Sequence, residues 1–415
     1  MLRISRGFFM FFDLVRPGKG NQPGSAMRSL NRLFLTSALA VSAGANAGWQ
    51  DPLETPAMAS DSIHQSLLLD VTDKGSSLVS VGAHGHVILS DDNGYTWTQG
   101  SVPVTTTLTA VDFADEQRGW VVGHDGVILH SADGGLSWTK QFDGFKANEA
   151  MLTSARANLI NAEERAQAVA ESESDLEIDQ AMTALENAQF AFQDAEYDLE
   201  TGSTKPFLDV YFWSADEGIA VGAYGMAFQT SDGGQEWYEI SSRLPNPNRL
   251  HLNAVTRVGD SSLAIIGEMG LMLRSDDMGQ TWTAQAAPYD GSLFGLLDEG
   301  DTQILFALRG HTYRSDDDGI TWTTLDTGSE QTLLGGFSSD RGAMLVGNGG
   351  AIVLLNRQLN EPESKTVRGR KASAAVVRSD AGHYVIAGDA GIQLVSREGE
   401  LLQRQAEMTG EKGDE

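Results

Sequence analysis

Three side chains in this sequence have the types that glycosidic hydrolysis requires. Asp125, Tyr224 and Glu268 each lie in a short glycine-bounded turn. A pair of carboxylates, or a tyrosine nucleophile with its base, can cleave a glycosidic bond when the two meet on one face. His84, His124 and Asp125 could instead ligate a metal, although none shows a dedicated spacing such as His-x-x-x-His. Both chemistries require the fold to bring separate turns together.

The turns that carry these residues recur along the chain. The marker is the residue before each turn, at 82, 123, 222, 267, 307, 347 and 388, and it is glycine everywhere except Ala307. The steps between markers are 41, 99, 45, 40, 40 and 41 residues. A period near 41 residues therefore holds throughout, with one insertion of about 58 residues.

A second pattern, Ser/Thr-x-Asp-x-Gly-x-x-Trp, occurs five times and is called the Asp motif below. Its Asp can accept hydrogen bonds from backbone N–H groups two residues on, and its Gly tolerates positive φ. Its Trp supplies a large apolar surface to the next strand. We therefore expect a structural turn between two strands. The residues concerned are Asp92, Asp133, Asp232, Asp277 and Asp317, with Trp97, Trp138, Trp237, Trp282 and Trp322.

The repeats predict an all-β fold, a seven-bladed β-propeller over residues 66–406. Units of about 40–45 residues with four strands each are typical of propeller blades, and closing the ring leaves no open sheet edge. A solenoid is the competing architecture, but its terminal repeats would carry polar caps. Here the first unit begins with Leu67-Leu68-Leu69 and the last ends with Leu401-Leu402. Residues 48–65 are interpreted as a lead-in and 407–415 as a disordered tail.

Residues 147–203 interrupt the β pattern and predict an α-helical hairpin inserted between blades 2 and 3. Apolar residues recur at intervals of seven, with alanines beside them, as in two closely packed helices. Ser174 is placed to cap the second helix. From Lys146 to Glu200 there are 13 acidic and three basic residues. The hairpin should project from the face opposite the Asp motifs, either as a partner-binding element or as a structural lid. The expected seam residues are Leu152, Ala155, Leu159, Ala162, Ala166, Val169, Ile178, Ala181, Leu185, Ala188, Phe192, Ala195 and Leu199.

The turns after the markers should form a ring of side chains on that same face, the top face. They are either solvated turn residues or a surface that binds a partner. The sequence has no phosphate-binding loop, Gly-x-Ser-x-Gly elbow or zinc-binding helix, so we expect no cofactor, metal or catalytic group. The ring residues are His84, His124, Asp125, Tyr224, Glu268, Arg309, Asn348 and Asp389.

Charge and composition narrow the classes of partner. The formal net charge of −28 argues against nucleic acid and against direct binding to anionic lipid, because both require a basic face. Without cysteine, disulfides and thiolate sites are excluded. Residues 27–47 have the basic, apolar and small-residue regions of a signal peptide, and residues 1–26 are interpreted as an upstream extension. The pattern predicts secretion across the inner membrane into the periplasm.

The Asp motifs resemble the Asp-box (BNR) repeat, which sialidases share with several non-enzymatic propellers. Sialidases also carry an arginine triad and an early Arg-Ile-Pro motif. This sequence has no Arg-Ile-Pro, and its top ring offers only Arg309. A sialidase-like glycosidase or a carbohydrate-binding lectin is therefore the second interpretation.

The longer segment Val111–Leu129 is similar to the photosystem II stability/assembly factor family, and 212–218 and 337–342 echo it. The resemblance covers about residues 60–400 except the insertion. It implies a lumenal or periplasmic, non-enzymatic seven-bladed scaffold that helps a membrane complex to assemble. Photosynthetic members have an arginine-rich surface and lack such a hairpin, whereas this chain is strongly acidic. We therefore interpret it as a member from a non-photosynthetic bacterium, with an envelope protein complex, such as a transporter, as its partner.

Overall fold

The computed structural model describes residues 50–171 and 174–402. The upstream extension (1–26), the signal peptide (27–47) and the tail (407–415) lie outside this part of the chain. The described residues form seven antiparallel sheets arranged as blades, and within each sheet the strands follow chain order. The prediction of a seven-bladed propeller with a hairpin between blades 2 and 3 is confirmed.

The first three blades have four strands each. Blade 1 consists of β1 (Leu68–Asp73), β2 (Leu78–Gly82), β3 (Val87–Ser90) and β4 (Thr98–Gln99). Blade 2 consists of β5 (Leu108–Phe113), β6 (Gly119–Gly123), β7 (Ile128–Ser131) and β8 (Thr139–Phe142). After the hairpin, blade 3 consists of β9 (Phe207–Phe212), β10 (Gly218–Gly222), β11 (Ala227–Thr230) and β12 (Tyr238–Glu239).

The other four blades follow without interruption. Blade 4 consists of β13 (Leu252–Val258), β14 (Ser262–Gly267), β15 (Met272–Ser275) and β16 (Thr283–Ala284). Blade 5 consists of β17 (Leu293–Glu299), β18 (Thr302–Ala307), β19 (Thr312–Ser315) and β20 (Thr323–Thr324). Blade 6 consists of β21 (Leu333–Ser339), β22 (Gly342–Gly347), β23 (Ala351–Leu355) and β24 (Glu363–Thr366). Blade 7 has β25 (Ser373–Arg378), β26 (Tyr384–Gly388) and β27 (Gly391–Val395), and Leu401 forms a single further bridge to Val395.

The first strands of neighbouring blades pack against one another around the whole ring, and β25 against β1 completes it. Separate sheets share no backbone ladder, and buried side chains make several of the polar links between them. Asp70 Oδ2 accepts a hydrogen bond from the Val111 N–H at 2.9 Å, and Asp209 Oδ2 accepts one from the Val255 N–H at 2.9 Å. Both aspartates are fully buried, and a buried carboxylate is stable only when it is hydrogen-bonded.

The marker glycines have a steric cause. In every blade, the N–H of the residue after the marker donates to the carbonyl that precedes the first strand, as from Ala83 to Leu67 at 3.0 Å and from Asp389 to Ala372 at 2.9 Å. This brings the two chain segments together. A Cβ at Gly82 would lie 2.2 Å from the Leu67 oxygen, and one at Gly347 would lie 2.0 Å from the Thr332 oxygen. Side chains are therefore excluded there, with Ala307 as the exception.

The Asp motifs form the turn between the third and fourth strands of blades 1 to 5. In blade 1, Asp92 accepts hydrogen bonds from Thr96 N (2.8 Å), Thr96 Oγ1 (2.7 Å) and Ser90 Oγ (2.9 Å). Ser90 Oγ in turn accepts from Gly94 N at 2.8 Å. The backbone donor lies four residues after the aspartate, not two as expected, because the loop is wider than an Asx turn. Trp97 Nε1 donates to Gly94 O at 2.9 Å.

Each Asp motif also packs on the preceding blade. Asn93 of blade 1 accepts a hydrogen bond from Ala381 N of blade 7 at 3.0 Å, which fastens the ring where the chain closes. In blade 5, Asp318 pairs with Arg274 of blade 4 at 2.8 Å. Blades 6 and 7 replace the motif with simpler turns, in which Asn356 Oδ1 or Ser396 Oγ accepts from nearby N–H groups.

The inserted hairpin consists of α1 (Gly144–Val169) and α2 (Asp175–Thr201). Ser174 is the N-cap of α2, and its side chain accepts a hydrogen bond from the Glu177 N–H. Ala155, Ala181 and Ala195 are buried in the seam, as the seven-residue spacing predicted, and small side chains let the helices approach closely. Leu199 departs from that pattern, with 46% of its surface exposed.

Candidate partner-binding face

Six turns on the top face share one backbone conformation. The turn follows the second strand of blades 1 to 6, and its central residue has left-handed φ and ψ, which most side chains avoid. The six side chains differ completely although the backbone repeats. The central residues and their φ angles are His84 (60°), Asp125 (56°), Tyr224 (57°), Met269 (50°), Arg309 (57°) and Gly349 (62°).

The structure brings two of the predicted ring residues together through a third residue. The rings of Tyr224 and His251 lie 4.8 Å apart, and His251 Nδ1 lies 2.9 Å from Glu268 Oε2. Burial lowers the pKa of His251, and the neighbouring Glu268 carboxylate opposes that shift. Lys205 Nζ lies 5.2 Å from the centre of the Tyr224 ring, within cation–π range. An aromatic surface with both charges beside it thus lies at the junction of blades 3 and 4.

The other glycosidase and metal candidates do not join this group. Asp125 Oδ2 accepts a hydrogen bond from Thr106 Oγ1 at 2.6 Å, within its own blade. His84 contacts the ring of His86 at 5.8 Å. Over residues 50–171 and 174–402, no three His, Asp or Glu side chains are grouped as metal ligands would be. Within the described residues, Asp125 forms no hydrogen bond or ion pair with Tyr224 or Glu268.

The remaining ring residues lie in separate turns. Arg309 is exposed, and its backbone N–H is 3.3 Å from Thr332 Oγ1. Asn348 and Asp389 are half-buried, and their N–H groups make the interstrand hydrogen bonds described above. These residues are available at the surface, but no contact links them to one another or to Tyr224 within the described chain.

The base of the hairpin is fixed to the top face beside Tyr224. The Asn148 side chain donates to the carbonyl oxygens of Asp198 and Gly202, both at 2.9 Å, and so ties the two helices together. Ser203 Oγ donates to the Asp125 carbonyl, and Lys205 forms an ion pair with Asp198. The hairpin is therefore docked on the propeller at its base.

Between the hairpin and blades 3 and 4 lies a cleft of about 340 Å³. Phe190 and Tyr224 line it and remain 57% and 50% exposed, while Leu244 is buried in it. Arg249, on the loop between the two blades, pairs with Asp194 of α2 across the cleft. The Asn246 side chain holds that loop by bonding both the N–H (3.0 Å) and the carbonyl (2.9 Å) of Leu250.

Several residues of this region were missed from the sequence. His251, Arg249 and Lys205 lie in connections between blades, where the repeat gives no signal. Phe190 carried a detectable signal, since it is a large apolar residue of α2 outside the seven-residue seam. No helix in the described ranges combines the length and apolar character needed to cross a membrane.

Comparisons with known proteins agree with this architecture. Residues 89–164 and 186–392 match the family model described as photosynthesis system II assembly factor YCF48, and the gap falls at the tip of the hairpin. The photosystem II assembly lipoprotein Ycf48 of Synechococcus sp. (strain CC9902) is 37% identical over 86 residues, 21% of this chain and 25% of the relative. The chain thus matches a quarter of the length of that curated relative.

Two solved structures support the fold. YCF48 bound to a D1 peptide and YCF48 from Cyanidioschyzon merolae each superpose with a TM-score of 0.54 at 15% identity and over 79% of this chain, and the match covers 92% and 94% of their own chains. The matched family is one of assembly factors and not of glycosidases, which sets the sialidase-like interpretation aside. By its sequence over most of its length, the chain is a non-enzymatic propeller that belongs to the photosynthesis system II assembly factor YCF48 family.

Proposed function

We propose that this protein is a secreted scaffold of the cell envelope that binds a membrane protein complex and assists its assembly or stability. A transporter is one complex of that kind. The observation that carries the proposal is the acidic hairpin fixed on the top face, because a blade does not need such an insertion in order to fold. One solved relative is a complex with a D1 peptide, so a propeller of this fold can hold a peptide.

The proposed binding face comprises the exposed top turns and the hairpin. In the top turns, the side chains vary from blade to blade while the backbone conformation is constant. This is expected of a surface whose side chains contact a partner. The net charge of −28 favours a basic surface on that partner. It disfavours nucleic acid and anionic lipid, whose phosphates would be repelled.

Excising the hairpin tests this proposal. Gly144 and Ser203 lie side by side, since a Cβ on Gly144 would be 2.2 Å from Ser203 Oγ. Deleting residues 145–202 and joining the two ends through a short glycine–serine link should therefore leave the propeller closed, as near-UV circular dichroism would report. Cross-linking in intact cells should connect the whole protein, but not the deletion, to a specific membrane protein.

If the deletion variant folds and still cross-links to the same membrane protein, the hairpin is not part of the binding face. If the full-length protein cross-links to no envelope protein but binds defined sugars on a glycan array, the scaffold proposal is wrong and the protein is a lectin.

A further inference from the structure

The cleft between the hairpin and blades 3 and 4 is a concave site with a partly apolar lining. Its walls come from both parts of the molecule: Phe190 from α2, Tyr224 from a top turn and Pro247 from the loop between the blades. The floor is made of alanines and Leu244. Ligand clefts commonly measure about 300–1,000 Å³, and at about 340 Å³ this one accommodates a few side chains.

The aromatic residues of the cleft are exposed without a structural reason. Phe190 lies outside the seam of the hairpin and Tyr224 lies at the centre of a turn, and they are 57% and 50% exposed. Aromatic residues are enriched among the anchors of interfaces.

The charge around the cleft is acidic. The ion pairs that α2 makes in the described chain use Asp194 and Asp198. Two carboxylates line the cleft, Asp198 and Glu239, and within the described chain Glu239 forms no ion pair. Unpaired surface carboxylates near a low-dielectric cleft attract cations more strongly than isolated ones do. A segment that inserts apolar side chains here is therefore favoured when lysines or arginines flank them.

We infer that this cleft holds a basic amphipathic segment of the partner, with apolar side chains against Phe190 and Tyr224 and a cation beside Glu239. This inference rests on the proposed function, because it names the chemistry of the segment that the scaffold binds. Arg249 borders the site and joins the loop between blades 3 and 4 to the hairpin through its ion pair with Asp194.

The probe for this site is a short fluorescein-labelled peptide of leucine and lysine with an amphipathic helical pattern. Its controls are the same peptide with glutamate in place of lysine, and a scrambled sequence of the same composition. Measured by fluorescence anisotropy on the full chain, the lysine peptide should bind and the glutamate peptide should not. The affinity should fall as salt is raised, because part of the attraction is between exposed charges.

Phe190→Ala and Tyr224→Ala should each weaken binding of the lysine peptide about tenfold, as for interface anchors. Tyr238→Ala is the matched control, since Tyr238 is 51% exposed on the outer strand of the same blade and does not line the cleft. It should bind within about twofold of the wild type, because residues outside the anchors contribute little.

Equal binding of the lysine and glutamate peptides, or wild-type binding by both cleft variants, would overturn the inference. The experiments distinguish a failure of the proposed scaffold function from a failure of the proposed cleft site. If excising the hairpin abolishes cross-linking in cells while Phe190→Ala and Tyr224→Ala do not, the scaffold stands and the cleft is not its site. If the cleft variants lose the peptide but the full chain cross-links to no envelope protein, the cleft stands and the proposed function does not.

Discussion

The Asp motifs and the top turns lie at opposite ends of the same blades and repeat different features. In the five Asp motifs, backbone and side chains both recur, and the aspartates accept the same hydrogen bonds from blade to blade. In the top turns, the backbone recurs with left-handed φ at the centre, but the central side chain is different in each. Side chains that recur from blade to blade indicate a structural role, as in the Asp motifs. Side chains that vary on a constant backbone are not needed for the turn itself and are available for binding, as in the top turns.

The largest expected effect concerns the tryptophan of an Asp motif. Trp138 is 4% exposed, packs edge-to-face on Phe113 at 6.0 Å and donates to Gly135 O at 2.9 Å. Trp138→Ala should lower the free energy of unfolding by about 3–5 kcal/mol, because it leaves a large cavity between blades. Chemical denaturation measures this loss. Leu136→Ala in the same turn is the control, since Leu136 is 62% exposed, and a loss below about 1 kcal/mol for Trp138 would contradict its assigned role.

A smaller effect is expected at the carboxylate of the motif. Asp92→Ala removes the acceptor for Thr96 N, Thr96 Oγ1 and Ser90 Oγ. The cost should be about 1–2 kcal/mol, because the donors remain partly accessible to water. The neighbouring Asp91 is exposed, and Asp91→Ala should change stability by less than about 0.5 kcal/mol. Equal losses for the two variants would show that net charge, and not the turn, is responsible.

Acidification should weaken all five Asp motifs together. Hydrogen bonds from Thr281 Oγ1 and N and from Ser275 Oγ lower the pKa of Asp277 to about 2. The pKa values of the other four aspartates are also lowered, in Asp92 and Asp133 against the opposing effect of partial burial.

A carboxyl whose pKa is lower in the folded state stabilises the fold fully above its unfolded pKa of about 3.9. That contribution is lost as the pH falls through the folded pKa. Thermal unfolding should therefore shift downward between about pH 4 and pH 2, and Asp277→Asn should reduce the slope of the shift. An unchanged slope in that variant would contradict the assignment.

The smallest effect is expected at an exposed top turn. Arg309→Gly removes a side chain from a residue with φ of 57°. The relief of the left-handed conformation offsets the greater freedom that glycine has in the unfolded chain, so stability should stay within about 1 kcal/mol of the wild type. Gly310→Ala, one residue on, should destabilise clearly in the same denaturation assay, because the added Cβ would lie 1.8 Å from the Ser329 oxygen. A large loss in Arg309→Gly would mean that the top turns are structural too.

The sequence predicted the fold well because its signals are local and repeated. A marker glycine that admits no Cβ, an Asp turn and a Trp recur at one period. The seven-residue pattern identified both helices, and the position of Ser174 before the second helix identified its cap. The candidate site was predicted less well. His251, Arg249 and Phe190 belong to connections and to the insertion, which occur once and have no internal copy for comparison.

The sequence by itself determined the number of blades, the position of the hairpin and the acidic character of the chain, since each depends on residue type and spacing along the chain. Only the tertiary structure decided that Tyr224 packs on His251, which contacts Glu268, that Asp125 accepts a hydrogen bond from Thr106, and that Phe190 faces a cleft bordered by Arg249. The physical reason is that these contacts join residues from different blades and from the insertion. The distances between these residues depend on how the blades close into a ring and on how the hairpin packs against that ring. No local sequence pattern encodes the closure or the packing.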